Sequence, residues 1–160
     1  MADLGAERKA IDLAMEAERK AAAFYADAAT RAADPRGRDL FGQLARFEEG
    51  HYEYLKRARE SAMAGKDYPV YPGRDFEPGR FGVAVPVEHA ARADLTGILS
   101  LAIDAERRAE AEYRRIGGAA ATDAGRAFFL KLAAEEALHE QVLSIQFYSL
   151  NNQGAWTWGD

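Results

Sequence analysis

The chain contains the same pattern of polar residues twice, at a constant offset of 88 residues. Each copy has a Glu, a Tyr seven residues later and, 30 residues after the Glu, a Glu-x-x-His motif. The first copy is Glu18, Tyr25, Glu48 and His51, and the second is Glu106, Tyr113, Glu136 and His139. One offset that relates so many identities without a gap indicates an internal duplication. We therefore expect the chain to fold as two copies of one structural unit.

Four segments of the chain predict helices. They are rich in Ala, Glu and Arg, which favour helix. Asp34 can cap the second helix with Pro35 in its first turn, and Gly117-Gly118 can end the third. The predicted helices cover about residues 3–31, 35–64, 88–116 and 122–150. Short turns join the helices of each pair, which predicts two helical hairpins.

The segment between the hairpins, "GKDYPVYPGRDFEPGRFGVAVPVEHA", holds four of the five Pro residues, so we expect it not to be helical. It is long enough to cross a bundle from one end to the other. The chain length fits one domain, and the pattern predicts an all-α fold, a four-helix bundle. Within residues 1–160 we expect a hairpin at about 3–64, a crossover linker at about 65–88, a hairpin at about 89–150 and a tail at 151–160. The two Trp residues of the tail should pack back on the bundle.

On each predicted helix, residues spaced by three and four form a stripe that should face the core. Every stripe is apolar except in its middle, where the duplicated Glu and His residues lie. Burying one unpaired carboxylate costs several kcal/mol, and a whole domain is stable by only about 5–15 kcal/mol. No Lys or Arg occupies a middle position, so the compensation must be protonation or bound metal. Two divalent ions balance four carboxylates, and oxygen-rich ligation with one imidazole per metal suits iron or manganese.

Several residues near the motifs need separate interpretation. Tyr25 and Tyr113 lie two turns beyond the upstream Glu of their copy, where they can serve core packing, a hydrogen bond to a ligand carboxylate, or both. We predict that they take part in catalysis by hydrogen bonding to the ligand carboxylates. His89 follows the linker and is expected to be a surface or capping residue. We also interpret the following residues as solvated surface charges: Glu16, Asp104, Glu49, Glu53, Glu135 and Glu140.

The composition excludes several classes of function. The chain has no Cys, which rules out disulfides, thiolate metal sites and Cys nucleophiles. Its net charge of −5 gives no basic footprint for nucleic acid. No apolar run approaches the roughly 20 residues that span a bilayer, and the charged start has no signal-peptide core. We therefore expect no nucleic-acid partner, no membrane segment and a cytoplasmic location.

Four segments, "AMEAERKAAAFYADAA", "LARFEEGHYEYL", "AIDAERRAEAEYRRI" and "LAAEEALHEQVL", resemble the ferritin-like diiron carboxylate proteins, and rubrerythrins most closely. The resemblance implies a ferritin-like bundle with two iron ions, for which manganese or zinc could substitute. It pairs Glu18 with His51 at one iron and Glu106 with His139 at the other. Glu48 and Glu136 would bridge the two ions.

The sequence departs from the rubrerythrin pattern in two ways. The absence of Cys leaves no rubredoxin domain, so electrons would come from an external donor, a rubredoxin-like protein or another reductase. In rubrerythrins a further Glu follows the terminal ligand of the third helix by three residues, and it exchanges with a His ligand as the redox state changes. Here that position is Ala109, and Glu110 would be a poorer substitute. The remaining symmetric ligand set also resembles that of bacterioferritins.

The resemblance implies a diiron oxidoreductase that reduces hydrogen peroxide or oxygen, of the peroxidase or ferroxidase type. The alternative is an iron-handling protein that oxidises ferrous iron and passes it on, and a third possibility is an interaction module without metal. By the same resemblance we expect a homodimer.

Overall fold

The computed structural model describes residues 4–77 and 81–158. It contains four long helices, α1 (Leu4–Arg31), α2 (Pro35–Met63), α3 (His89–Gly118) and α4 (Asp123–Gln153), and two short strands, β1 (Phe81–Pro86) and β2 (Ala155–Trp158). Helix α1 packs along α2 and α3 packs along α4. The predicted all-α four-helix bundle is confirmed, with one hairpin on each side of the linker. None of the helices in the described ranges is both long enough and apolar enough to cross a membrane.

The helix ends follow from local chemistry. The Asp34 side chain caps α2 by accepting a hydrogen bond from the backbone N–H of Arg36 at 2.7 Å. Thr122 caps α4 in the same way through the N–H of Gly125 at 3.0 Å. Helix α3 continues to Gly118 and α4 to Gln153, so both are slightly longer than predicted. The predicted start of α1 at residue 3 lies outside the described residues, as do 78–80 of the linker and 159–160 of the tail.

The linker and the tail contain a two-stranded antiparallel ribbon that the sequence interpretation did not include. Strand β1 pairs with β2, with Phe81 opposite Trp158 and Pro86 opposite Ala155. Gly154 ends α4 in the left-handed conformation, with φ at 64°, and turns the chain directly into β2. The two Trp residues of β2 are buried, which confirms that the tail packs on the bundle.

The linker before β1 runs along the bundle beside α2 and α4. Near its start, the Tyr68 ring packs against Phe128 and Phe129 of α4. Near its end, Gln43 of α2 both donates to and accepts from the backbone of Glu77, each at 2.7 Å. The chain thus crosses from one end of the bundle to the other and covers the middle of these two helices.

The core consists of two apolar clusters with a polar layer between them. On α2, Phe41 and Leu44 belong to one cluster, whereas Leu55 belongs to the other. Helix α4 shows the same division, because Phe129 and Leu143 belong to different clusters. The Glu-x-x-His motifs lie between these positions, so the fold places both of them in the polar layer.

Candidate metal centre

The structure brings all six predicted metal-binding side chains into one buried cluster. None is more than 3% exposed. Helices α1 and α3 contribute one carboxylate each, and α2 and α4 contribute one carboxylate and one imidazole each. They are Glu18, Glu48, His51, Glu106, Glu136 and His139. The spacing of three and four along each helix is therefore sufficient to aim these side chains into the core.

The six side chains form two overlapping groups of four. In each group, one nitrogen or oxygen atom per residue lies within 4.8 Å of the others. The first group is Glu18, Glu48, His51 and Glu136, and the second is Glu48, Glu106, Glu136 and His139. Glu48 and Glu136 belong to both groups, so the geometry is that of two neighbouring sets of candidate ligands with two shared carboxylates.

The two imidazoles present Nδ1 to the cluster. His51 Nδ1 lies 2.8 Å from Glu136 Oε1 and 3.3 Å from Glu18 Oε1. His139 Nδ1 is more loosely placed, at 3.6 Å from Glu106 Oε2 and 3.5 Å from Glu136 Oε2. The two rings are nearly parallel, with an interplanar angle of 10° and centroids 5.9 Å apart.

The donor atoms fit a bound metal because many of them have no other partner. Within the described ranges, several buried polar atoms of the cluster lack any hydrogen bond: Glu48 Oε1, Glu106 Oε2, both carboxylate oxygens of Glu136 and both ring nitrogens of His139. Buried polar atoms of folded proteins are normally satisfied. Among the described residues, these four carboxylates form ion pairs with imidazoles rather than with Lys or Arg. Buried carboxylates and imidazoles whose ion pairs are mainly with one another are compatible with a diiron site.

The carboxylates of the metal-free cluster differ in proton affinity. Burial raises the pKa of Glu18 to about 8, and the charge of Glu48 adds to the effect. Burial also raises the pKa of Glu136, reinforced by the charges of Glu106 and Glu18. Burial acts in the same direction on Glu106, but the neighbouring Glu136 and the charge of His139 together outweigh burial and lower the pKa of Glu106. The cluster therefore retains protons on some carboxylates when no metal replaces them.

The imidazoles of the metal-free cluster also hold protons. Burial by itself lowers the pKa of His51, but the charges of Glu18 and Glu136 outweigh burial and raise it well above its ordinary value. His139 behaves alike, because Glu106 outweighs burial and raises its pKa. Metal binding must displace these protons, since only the deprotonated nitrogen coordinates a metal.

Each predicted Tyr contacts a carboxylate of the other hairpin. Tyr25 of α1 donates a hydrogen bond to Glu106 Oε1 of α3 at 2.5 Å, and Tyr113 of α3 donates to Glu18 Oε1 of α1. The rings also pack in the core, where Tyr25 stacks on Phe41 and Tyr113 stacks on Phe129, the Phe residue related by the same offset. Both roles that the sequence left open, core packing and a hydrogen bond to a carboxylate, therefore apply to these residues. A part in catalysis remains a prediction.

The interpretation of Glu135 as a surface charge is wrong. Its side chain is buried, and its Oε1 lies 3.1 Å from His51 Nε2, on the far side of the ring from the cluster. The Tyr71 hydroxyl donates to the same oxygen at 2.5 Å, and the backbone N–H of Arg74 donates to Oε2 at 3.2 Å. Tyr71 and Arg74 belong to the linker, whose path the sequence did not predict. The duplication did indicate that position 135 is buried, because the matching residue of the first copy is the large apolar Phe47.

The other residues singled out in the sequence lie outside the cluster. His89 is exposed at the first position of α3, and Glu16, Asp104, Glu49 and Glu53 are exposed. Glu140 is only half-buried, and it binds Arg107 at 3.0 Å. Glu110 pairs with Arg114 at 3.0 Å and belongs to neither group of candidate ligands found among the described residues.

The rubrerythrin family model matches residues 4–59 of the chain. The matched segment covers α1 and most of α2, including Glu18, Tyr25, Glu48 and His51. The rubrerythrin-like resemblance is thus confirmed over the first hairpin. No curated protein and no solved structure matches the chain.

Proposed function

Because the first hairpin is rubrerythrin-like and the second repeats its polar residues, we propose that the protein is a non-haem diiron oxidoreductase that reduces hydrogen peroxide, or oxygen. The observation that carries the proposal is the pair of overlapping buried ligand groups with two carboxylates in common. Iron at both positions supplies two electrons, which with two protons convert hydrogen peroxide to two water molecules. Manganese or zinc could occupy the same donors, although zinc supplies no electrons.

The ligand assignment follows the two groups. Glu18 and His51 would hold one iron, and Glu106 and His139 would hold the other. Glu48 and Glu136 would bridge, since each contributes an oxygen to both groups. The four carboxylates balance the charge of two divalent ions, which resolves the cost of burying them.

The surrounding side chains orient the terminal carboxylates and keep bulk water away. Each of the two Tyr hydroxyls donates to one terminal Glu and so holds that carboxylate in place beside the cluster, where it would bind a metal. Burial raises the pKa of both Tyr residues well above the usual value of about 10, and the adjacent carboxylates add to the shift. The hydroxyls therefore stay protonated and remain hydrogen-bond donors.

Ala109 bears on which reaction the centre performs. It is half-buried against the apolar cluster that contains Leu55 and Phe129, and its methyl side chain cannot bind a metal. We therefore propose a fixed ligand set without redox-linked exchange. The same feature favours a second candidate function, in which ferrous iron is the substrate and the protein is a ferroxidase that passes iron on.

We propose an electron donor outside residues 1–160, because these residues include no Cys to hold a rubredoxin-type iron. A rubredoxin-like protein or another reductase fits this role. The cytoplasmic location and the homodimer also remain predictions.

The test is anaerobic loading with two ferrous ions per chain, followed by stopped-flow mixing with hydrogen peroxide or with oxygen. We expect stoichiometric oxidation and a visible band of an oxo-bridged ferric pair, with the faster reaction identifying the oxidant. Repeated turnover with a chemical reductant would support the peroxidase, whereas release of ferric iron after each cycle would support the ferroxidase. Failure to oxidise two ions per chain with either oxidant would contradict both functions.

A further inference from the structure

The duplication that builds the metal centre is broken at one buried position. Glu135 of the second copy corresponds to Phe47 of the first. Both side chains are buried, and each lies against the imidazole of the opposite copy: Glu135 against His51, and Phe47 against His139. The imidazole of one half therefore contacts a carboxylate on the side away from the cluster, whereas the imidazole of the other half contacts an aromatic ring.

Behind His51 the surroundings are polar. The carboxylate of Glu135 lies 3.1 Å from Nε2, and because an ionised carboxylate only accepts hydrogen bonds, it holds the imidazole proton on that nitrogen. Glu135 is itself held by the Tyr71 hydroxyl and by the N–H of Arg74. The Tyr71 ring packs edge-on against His51, with centroids 5.6 Å apart.

Behind His139 the surroundings are aromatic and apolar. The Phe47 ring packs edge-on at a centroid distance of 4.5 Å, and the linker residue Phe76 packs at 5.8 Å. Among the residues that the structure describes, His139 Nε2 has no hydrogen-bond partner. The linker therefore covers both imidazoles, with a polar Tyr at one and an apolar Phe at the other.

We propose that the two metal positions are inequivalent, that the position containing His51 fills first, and that Glu135 is the positioning residue responsible. The inference deepens the proposed function, on whose diiron site it rests. The imidazole that binds a metal is the neutral form, which carries one proton. When Glu135 accepts that proton's hydrogen bond at Nε2, Nδ1 is left with its lone pair aimed into the cluster. Among the described residues His139 has no such acceptor at Nε2, so no hydrogen bond from them selects its metal-binding tautomer, and the Nε2 proton of that tautomer is buried without a partner there.

The site preference can be read directly because the chain has only three His residues. Metal-free protein labelled with nitrogen-15 at His would be titrated with zinc, a diamagnetic probe, and followed by long-range proton–nitrogen correlation spectra. The variant His89→Gln removes the exposed third imidazole and completes the assignment. We expect the His51 signals to reach their bound shifts by one equivalent of zinc, and those of His139 to move mainly during the second.

The causal role of Glu135 is tested by Glu135→Gln, which keeps the size of the side chain but removes its charge. The affinity of the first zinc should fall about 10–100-fold, as for other residues that orient a metal-binding His. The second affinity should change much less, so that the order of filling is lost. Glu140→Gln is the matched control, since Glu140 lies five residues further along α4 and binds Arg107 rather than an imidazole. Tyr71→Phe keeps the ring on His51, removes one donor to Glu135 and should weaken the first step by a smaller factor.

The outcomes separate the two proposals. If no zinc and no iron binds the cluster, the metal centre itself is refuted and the inference falls with it. If two ions bind but both imidazoles respond together, or His139 responds first, only the inequivalence is refuted. If Glu135→Gln weakens both steps equally, Glu135 is not the cause of the difference. Tyr71→Phe gives the same information should Glu135→Gln fail to fold.

Discussion

Tyr25 on α1 donates a hydrogen bond to Glu106 on α3, with 2.5 Å between the hydroxyl and Oε1, and Tyr113 on α3 returns the equivalent bond to Glu18 on α1. The two bonds are related by the 88-residue offset of the duplication. Each ring packs within its own hairpin, whereas each hydroxyl reaches the other hairpin. The pair therefore joins the two copies at the level of the metal centre.

Replacing one of these Tyr residues by Phe keeps the ring and removes only the hydroxyl. Tyr25→Phe should weaken metal binding at the position containing Glu106, and Tyr113→Phe at the position containing Glu18, each by about 10-fold or more. Calorimetric titration of metal-free protein measures both affinities. Tyr148→Phe, at a residue that is 66% exposed, is the control and should change neither. An equal loss at both positions from either variant would contradict the assignment of one Tyr to each position.

The shared carboxylates predict how many ions each variant binds. Glu48 belongs to both groups of candidate ligands. The variant Glu48→Ala should therefore lose both metals and retain less than about one ion per chain. Glu18 belongs to one group only, and Glu18→Ala should retain about one ion. Metal analysis after desalting gives these numbers, with Glu49→Ala as the exposed neighbouring control. A full complement of iron in Glu48→Ala would show that Glu48 does not bridge.

Substituting Ala for either of two glycines should change stability in opposite directions. Gly154 has φ at 64°, and an added Cβ would collide with the Arg92 guanidinium group. Gly154→Ala should therefore lower the free energy of unfolding by about 1 kcal/mol or more. Gly50 lies inside α2 with no atom within 4 Å of an added Cβ, so Gly50→Ala should raise it by about 0.5–1 kcal/mol. Chemical denaturation measures both, and a loss of stability in Gly50→Ala would show that the α2 surface is not free there.

The six-residue cluster was accessible to sequence reasoning because it depends on local geometry. A helix fixes which residues share a face, and the duplication adds that the faces of Glu48 and Glu136 must be equivalent. Burial of the cluster followed from the apolar residues on either side of it. The roles of Tyr25 and Tyr113 stayed open because either packing or hydrogen bonding explains the same spacing.

The environment of Glu135 and the β1–β2 ribbon could not be obtained in this way. Both depend on the path of the linker, which brings Tyr71 and Arg74 onto α4 and pairs residues near 81–86 with residues near 155–158. Such contacts join segments far apart in the chain, and no helical period encodes them. In the sequence, the burial of Glu135 is indicated only by the apolar Phe47 at the equivalent position of the first copy.

The metal-free protein should lose stability as pH rises from about 5 to about 8. The pKa of Glu18 is raised to about 8, mainly by burial, and the pKa values of Glu136 and of both cluster histidines are raised as well. The folded chain then holds more protons than the unfolded chain over this window, so its free energy of unfolding falls with pH. Each such group contributes about 1.4 kcal/mol for each pH unit between its unfolded and folded pKa. The lowered pKa of Glu106 acts in the opposite sense, but only below about pH 4.5, where the unfolded chain takes up a proton at Glu106 that the folded chain does not.

Metal should reverse this dependence, because binding displaces the same protons and therefore strengthens as pH rises. Thermal unfolding of chelator-treated and metal-loaded protein at pH 5.5, 6.5 and 7.5 would show whether the difference in melting temperature between the two forms widens with pH. Glu18→Gln removes one of the proton-binding groups and should flatten the slope of the metal-free protein, while Glu53→Gln, at an exposed position of α2, should leave it unchanged. Metal-free protein whose stability rises between pH 5.5 and 7.5 would mean that the cluster carboxylates are already ionised in the folded chain. Something other than protons would then balance their charge when metal is absent.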